Sequence, residues 1–367
     1  MIGILYKNNG DVIEILSDKN DYSNQLQKIF QFETLTTNCI IFVENSFVFN
    51  FEKIYKSDEL EKVINRYIEI HGDFDKVLFI LNEIVVQDES EFIEFSKKIG
   101  KPCYYANFDM LPHNNKYQLF LSVSIYHNLD YLIMHDYLNA KTFLENMNRH
   151  YYNLQKPYKY SFYSNHVNPI RIDIFNILKA TDNLKNGMWS FNNNLVYYSG
   201  EKHNLDSFFK DNEGIIPYSF DKYDEKSHNF PKHTYLSEFL CYFEIVTEAY
   251  FFRDVINIDK HCPITEKLIK PLIACLPFIV FAPKNLKSVL ESIGMSFNSP
   301  LYGFYDIADD NSCREGYEHT TQQCSKPIEI IHTEYFKHID EYENNSKILM
   351  EYFINYRKNF LSILNKL

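Results

Sequence analysis

Thr265, Glu266 and Lys267 set a hydroxyl, a carboxylate and an ammonium on three successive residues. They stand where a helix should start, and the chain then runs into the apolar stretch Phe278, Ile279, Val280, Phe281, Ala282, which reads as a buried parallel strand. An acid and a base side by side at a helix start can grip a nucleotide. The carboxylate accepts from ribose or sugar hydroxyls, while the ammonium and the first-turn N–H groups hold phosphate. The same three residues also suit an ordinary capped helix with a solvated face, so the functional reading needs a partner elsewhere in the chain.

Two further groups offer one. Arg171 falls near the start of a helix and could clamp a diphosphate in a forked geometry, or simply lie exposed on the helix surface. Glu248 ends the strand pattern of residues 241–248. Other polar residues follow short apolar strands in the first half: Glu83, Asp109, His135 and Asp136. In open parallel sheets ligands sit beyond the carboxyl ends of strands. Any of the four could then serve as a general base toward an acceptor hydroxyl, or merely occupy a wet loop.

The elements that must carry these residues alternate between strand and helix periods. Residues 2–16 read as a hairpin turning at Asn8, Asn9 and Gly10, and 39–43 and 46–51 as further strands. The spacing of Leu60, Ile64, Tyr67 and Ile68 predicts a helix over 57–72. A strand at 77–81, a helix at 89–99 stopped by Gly100, and strands at 102–107 and 131–134 follow. This alternation predicts an open parallel sheet. A linker falls at 146–160. Beyond it come a strand, a turn at Asn165, and a helix burying Ile174, Ile177 and Leu178. Residues 187–235 and 302–326 give no clear pattern, and both suit lids. Pro271 should kink the helix that Thr265 opens, or start a second one. A helix over 286–293 stops at Gly294, and a last helix at 346–364 buries Leu349, Phe353, Tyr356 and Phe360.

Composition sets the outer limits. A chain of 367 residues, 45% of them hydrophobic, has the size of two globular domains. The longest apolar run, 271–283, is too short for a membrane span. The N-terminus lacks a basic segment followed by an apolar core, so the expectation is a soluble, cytoplasmic protein. Seven cysteines without a C-x-x-C pair suit reduced thiols, and Cys313, His319 and Cys324 match no zinc spacing. A net charge of −12 with no Lys/Arg cluster argues against a protein built to hold nucleic acid.

Taken in order, Ser164 and Asn165, then Arg171, then the strand ending at Glu248, then Ile264 to Lys267 leading into Leu276, Pro277 and Phe278, resemble the alpha-1,3-fucosyltransferase family. With Lys270–Pro271 and Pro277–Phe278 the likeness extends to glycosyltransferase-like proteins of bacteriophages and large viruses. It covers residues 160–300, roughly, and nothing in the first half. Where the family has small residues and glycine before the strand proline, this chain has Ala274, Cys275 and Leu276.

The resemblance implies an α/β, GT-B-like architecture of two Rossmann-like domains facing a cleft, with a C-terminal helix packing across. Residues 1–155 would take the acceptor, 156–335 the nucleotide sugar, and 336–367 would be the helical segment. Asn165, Arg171, Thr265, Glu266 and Lys267 would bind the donor. Glu248 would lie near the transferred sugar, with Glu83 or Asp109 as candidate base. It implies a transferase with a nucleotide-diphosphate sugar as donor substrate, a glycan or small-molecule hydroxyl as acceptor, and no metal or other cofactor. Two other readings stay open: a viral DNA-modifying glycosyltransferase, working in the host cytoplasm, and a catalytically silent binding or virion protein.

Overall fold

The computed structural model describes residues 2–3, 39–44, 69, 76–81, 93–94, 96–98, 100–106, 155–195, 206–216, 240–248, 262 and 264–366. The chain divides into two compact units, residues 1–130 with 352–367, and residues 131–351.

The first unit holds four parallel strands in the order β1 (Ile2–Gly3), β2 (Cys39–Glu44), β3 (Lys76–Leu81) and β4 (Cys103–Ala106). The expected strands at 39–43, 77–81 and 102–107 are these last three. Gly100 adopts φ 69° and its N–H donates to the Ser96 carbonyl at 3.1 Å, which ends the preceding helical turn as expected. The rest of the expected hairpin, the strands at 46–51 and 131–134, and all of the 57–72 helix but Glu69 lie outside the described residues.

The second unit is built on β5 (Tyr158–Val167), β6 (Gly187–Leu195), β7 (Cys241–Thr247), β8 (Phe278–Ala282) and β9 (Gly303–Asp306). All pair in parallel, in the order β6-β5-β7-β8-β9. The helices between them are α1 (Pro169–Ala180), α2 (Asp206–Asp211), α3 (Glu266–Ile273), α4 (Leu286–Ser292) and α5 (Asp310–Ser325), followed by α6 (Ile328–Lys337) and α7 (Ile339–Lys366). The division between the units falls inside α7.

Helices cover both faces of this sheet. Phe175 of α1 meets Trp189 and Phe191 of β6, and Tyr317 of α5 meets Phe281 of β8, on one face. Tyr335 of α6 meets Tyr242 of β7 on the other. Buried on both sides, β7 and β8 are enclosed along their whole length, which is why β8 reads as an unbroken apolar run.

Three expectations need correction. Asn165 is not in a turn: β5 runs on through it to Val167, and β6 places four residues, Phe191 to Asn194, against the three from Ser164 to His166. Residues 187–195 are a strand rather than irregular chain. Its run of Asn192, Asn193 and Asn194 is poor strand sequence, but Trp189 and Phe191 bury enough surface on α1 to hold it. The 302–326 segment is β9 and α5. The buried side of α5 is Cys313, Gly316, Thr320, Gln323 and Cys324, so no apolar stripe marks it. The last helix also starts earlier than expected, at Ile339.

Pro271 sits inside a single helix, α3, which continues to Ile273. The helix then closes with Cys275 N–H on the Leu272 carbonyl at 3.3 Å and Leu276 N–H on the Pro271 carbonyl at 2.9 Å. This is a Schellman closure, and Cys275 occupies its left-handed position at φ 55°. A glycine is the usual residue there. The departure from the family pattern at Ala274-Cys275-Leu276 thus falls on a residue whose backbone takes the conformation glycine favours.

Candidate functional site

Numbered within the second sheet, the strand order is 2-1-3-4-5. The order reverses between β5 and β7, and in open parallel sheets the crevice that takes ligands lies at such a reversal, beyond the carboxyl ends of the strands. Four of the residues in question converge on this place.

β5 gives way to α1 through Asn168 and Pro169. The Asn168 side chain accepts from the Arg171 N–H at 2.9 Å, and proline fits the first helical position because no N–H is needed there. This start turns Arg171 inward. It is 4% exposed, so the exposed-surface alternative falls. Its Nε donates to the Thr247 hydroxyl at 2.7 Å and a terminal guanidinium nitrogen donates to the Thr247 carbonyl at 3.2 Å. The arginine fork therefore ties the first turn of α1 to the last residue of β7.

The next residue, Glu248, is 2% exposed and reaches the other way. Its carboxylate accepts the Thr265 N–H at 3.2 Å on Oε1 and the Thr265 hydroxyl at 2.5 Å on Oε2. The Thr265 hydroxyl in turn accepts the Lys267 N–H at 3.3 Å, which caps α3. The hydroxyl has one proton, given to Glu248, and its lone pair is left for the helix. Both roles are satisfied at once.

A continuous chain of hydrogen bonds and one peptide link thus runs from Arg171 through Thr247, Glu248 and Thr265 to the backbone of Lys267. It connects the N-termini of α1 and α3, each the positive end of a helix dipole. Glu266 opens α3 and Lys267 is its second residue, half-buried. Asn165 lies in β5, three residues before the cap of α1. Glu83, Asp109, His135 and Asp136 lie outside the described residues.

Thr247 and Asn168 are the members of this arrangement that the sequence reading missed. The Asn–Pro pair before an apolar helical run is a helix-start signal and was available. A threonine at a strand end carries none.

Among the described residues, no group of three or more His, Cys, Asp or Glu side chains stands close enough to hold a metal ion. Cys313 and Cys324 are buried and in no disulfide, and His319 is engaged with Tyr305. Among the described residues no helix is long and apolar enough to cross a membrane.

No protein-family profile matches the chain, and no curated protein sequence matches it. Among solved structures the chain is similar to a crystal structure of alpha1,3-fucosyltransferase, at 13% sequence identity over 90% of this chain and 93% of that one, with a TM-score of 0.37.

Proposed function

We propose that this chain is a glycosyltransferase that takes a sugar from a nucleotide-diphosphate donor seated at the β5/β7 crevice. The observation that carries the reading is the bracing of two helix N-termini and a buried arginine through Thr247, Glu248 and Thr265 at a strand-order reversal. Such a place favours phosphate, because the positive ends of two helix dipoles and a fixed positive charge stand together there. The ordered motif resemblance over residues 160–300 supports the same reading.

In the proposed reaction the bond between the anomeric carbon and the β-phosphate oxygen breaks. A bond from that carbon to an acceptor hydroxyl oxygen forms, and the hydroxyl proton passes to a base. Arg171 supplies positive charge at the floor of the site and Lys267 at its rim, so the departing diphosphate is stabilised by the chain's own groups. Asn165 and Glu266 contact the donor's hydroxyls. Glu248 acts near the sugar chiefly by holding α3 in place, since both its oxygens are engaged by Thr265. Glu83 or Asp109 is the proposed base.

The test is a thermal-shift screen with GDP, UDP, CDP and ADP. One of them should raise the melting temperature, since a ligand that binds only the folded state stabilises it by mass action. Lys267→Ala should abolish the shift. Glu83→Gln and Asp109→Asn should keep the shift while one of them loses turnover. No shift with any nucleotide would overturn the enzyme reading, and an undiminished shift in Lys267→Ala would move the site elsewhere.

A further inference from the structure

Two contacts near the start of α1 leave the helix on different sides. Inside, the Arg171 guanidinium forks onto Thr247. Outside, Asp173 accepts the Tyr317 hydroxyl of α5 on Oδ2 at 3.1 Å. Residues two apart on a helix point about 200° away from each other, so the first contact cannot substitute for the second. The proposed transfer chemistry uses neither Asp173 nor Tyr317.

The two contacts are joined through the sheet. Thr247 of β7 stands opposite Phe281 of β8 in the parallel ladder, so their side chains share a face. The Tyr317 ring lies against Phe281, with the ring centroids 5.4 Å apart. Gly316 makes that approach possible: it is buried, and a Cβ there would lie 2.6 Å from Phe281 Cε1. The path therefore closes on itself, from Arg171 through Thr247, Phe281, Tyr317 and Asp173 and back along α1. The aromatic packing of α1 lies toward β6, through Phe175 on Trp189 and Phe191. Tyr317 supports the helix from the β8 side.

The tyrosine bond has more strength than a contact between neutral groups. Asp173 is exposed as a residue, yet its carboxyl is partly withdrawn from water: burial raises its pKa, and the bond from Tyr317 lowers it. A hydroxyl donating to such a carboxylate makes a charge-assisted hydrogen bond. Phenylalanine at position 317 would keep the ring on Phe281 and lose this bond.

We infer that Tyr317 and Asp173 are positioning residues for Arg171: their clasp sets the first turn of α1, and with it the guanidinium, where the donor's diphosphate meets it. The inference rests on the transferase reading of the β5/β7 crevice and makes α5 part of the phosphate site's support.

GDP, UDP, CDP and ADP, each beside its nucleoside, are titrated into the full chain by calorimetry. Tyr317→Phe and Asp173→Ala should each weaken diphosphate binding about three- to tenfold, the size of one hydrogen bond, and leave nucleoside binding unchanged. Asp173→Asn keeps an oxygen acceptor and should bind as the parent does. The double variant, Tyr317→Phe with Asp173→Ala, should be no weaker than either single one, since both break the same bond. Equal diphosphate affinity in Tyr317→Phe and the parent, an equal loss toward the nucleoside, or additive losses in the double variant would overturn the clasp. Amide hydrogen exchange needs no ligand and separates the clasp from the transferase reading. The Ile172 N–H, which donates to the Asn168 carbonyl at 3.0 Å in the first turn of α1, should exchange faster in Tyr317→Phe by about the same factor. A parent that binds none of the nucleotides overturns the transferase reading, whereas unchanged exchange at Ile172 overturns the clasp.

Discussion

The Arg171 guanidinium forks onto Thr247, Nε on the hydroxyl at 2.7 Å and a terminal nitrogen on the carbonyl at 3.2 Å. One residue holds the strand end and the helix start in register, and it does so while 4% exposed. Lysine cannot reproduce that contact, because an ammonium has no planar fork. Arg171→Lys should lower the unfolding free energy by about 1.5–3 kcal/mol, the range for hydrogen bonds to a charged group. Urea unfolding measures it. An unchanged midpoint would mean that the fork does not hold β7 to α1.

Thr265 both caps α3 and binds Glu248. Thr265→Ser keeps the hydroxyl and should cost little. Thr265→Val removes it, leaving the Lys267 N–H uncapped and one oxygen of a buried carboxylate without its donor. The cost should be about 1–3 kcal/mol. Any nucleotide-induced thermal shift should fall with it, because α3 is what the cap positions. Equal stability of the serine and valine variants would remove the hydroxyl from the account.

Gly316→Ala would bring a Cβ to 2.6 Å from Phe281 Cε1 as well as to 2.7 Å from Tyr305 Cγ. Aromatic rings wedged between a strand and a helix have little room to retreat. A loss of roughly 1–3 kcal/mol is expected, as for overpacking elsewhere. Gly303→Ala should act similarly and should also displace His319, which the imidazole proton resonances would report. Melting curves matching the parent's would show that the rings move aside freely.

Lys156 donates to the Cys241 carbonyl at 2.6 Å, with its ammonium 4.4 Å from the centre of the Tyr335 ring. The residue is partly exposed as a whole, but its ammonium is enclosed, and burial lowers its pKa to about 8. The unfolded chain keeps this proton up to pH 10.5, roughly, whereas the folded chain loses it from about 8. Between those values the unfolded state binds more protons, so this group makes stability rise with pH. Below pH 8 both states are protonated and the slope vanishes. The difference in unfolding free energy between parent and Lys156→Met should therefore shift in the parent's favour from pH 8 to 10. A constant difference would show that the ammonium is solvated.

The local order of this protein was legible from residue types alone. Phe278 to Ala282 could only be a buried strand, because no alternation exposes any of it to water. Thr265 before a helical pattern and Gly294 after one mark ends that short-range hydrogen bonding and backbone conformation fix. Segments stabilised from afar were not legible. β6 is held by aromatic contacts with α1 despite three asparagines, and α5 buries glycine, threonine and cysteine against rings from other strands, so neither shows the period of its own structure. The same holds for the site. Arg171, Glu248 and Thr265 could each be singled out by type and neighbours. That Thr247 stands between them, joining an arginine on one helix to the cap of another, follows only from a strand order that sets β5 beside β7. Sequence periodicity records which side of an element is apolar; which elements become neighbours depends on how the whole sheet is wound.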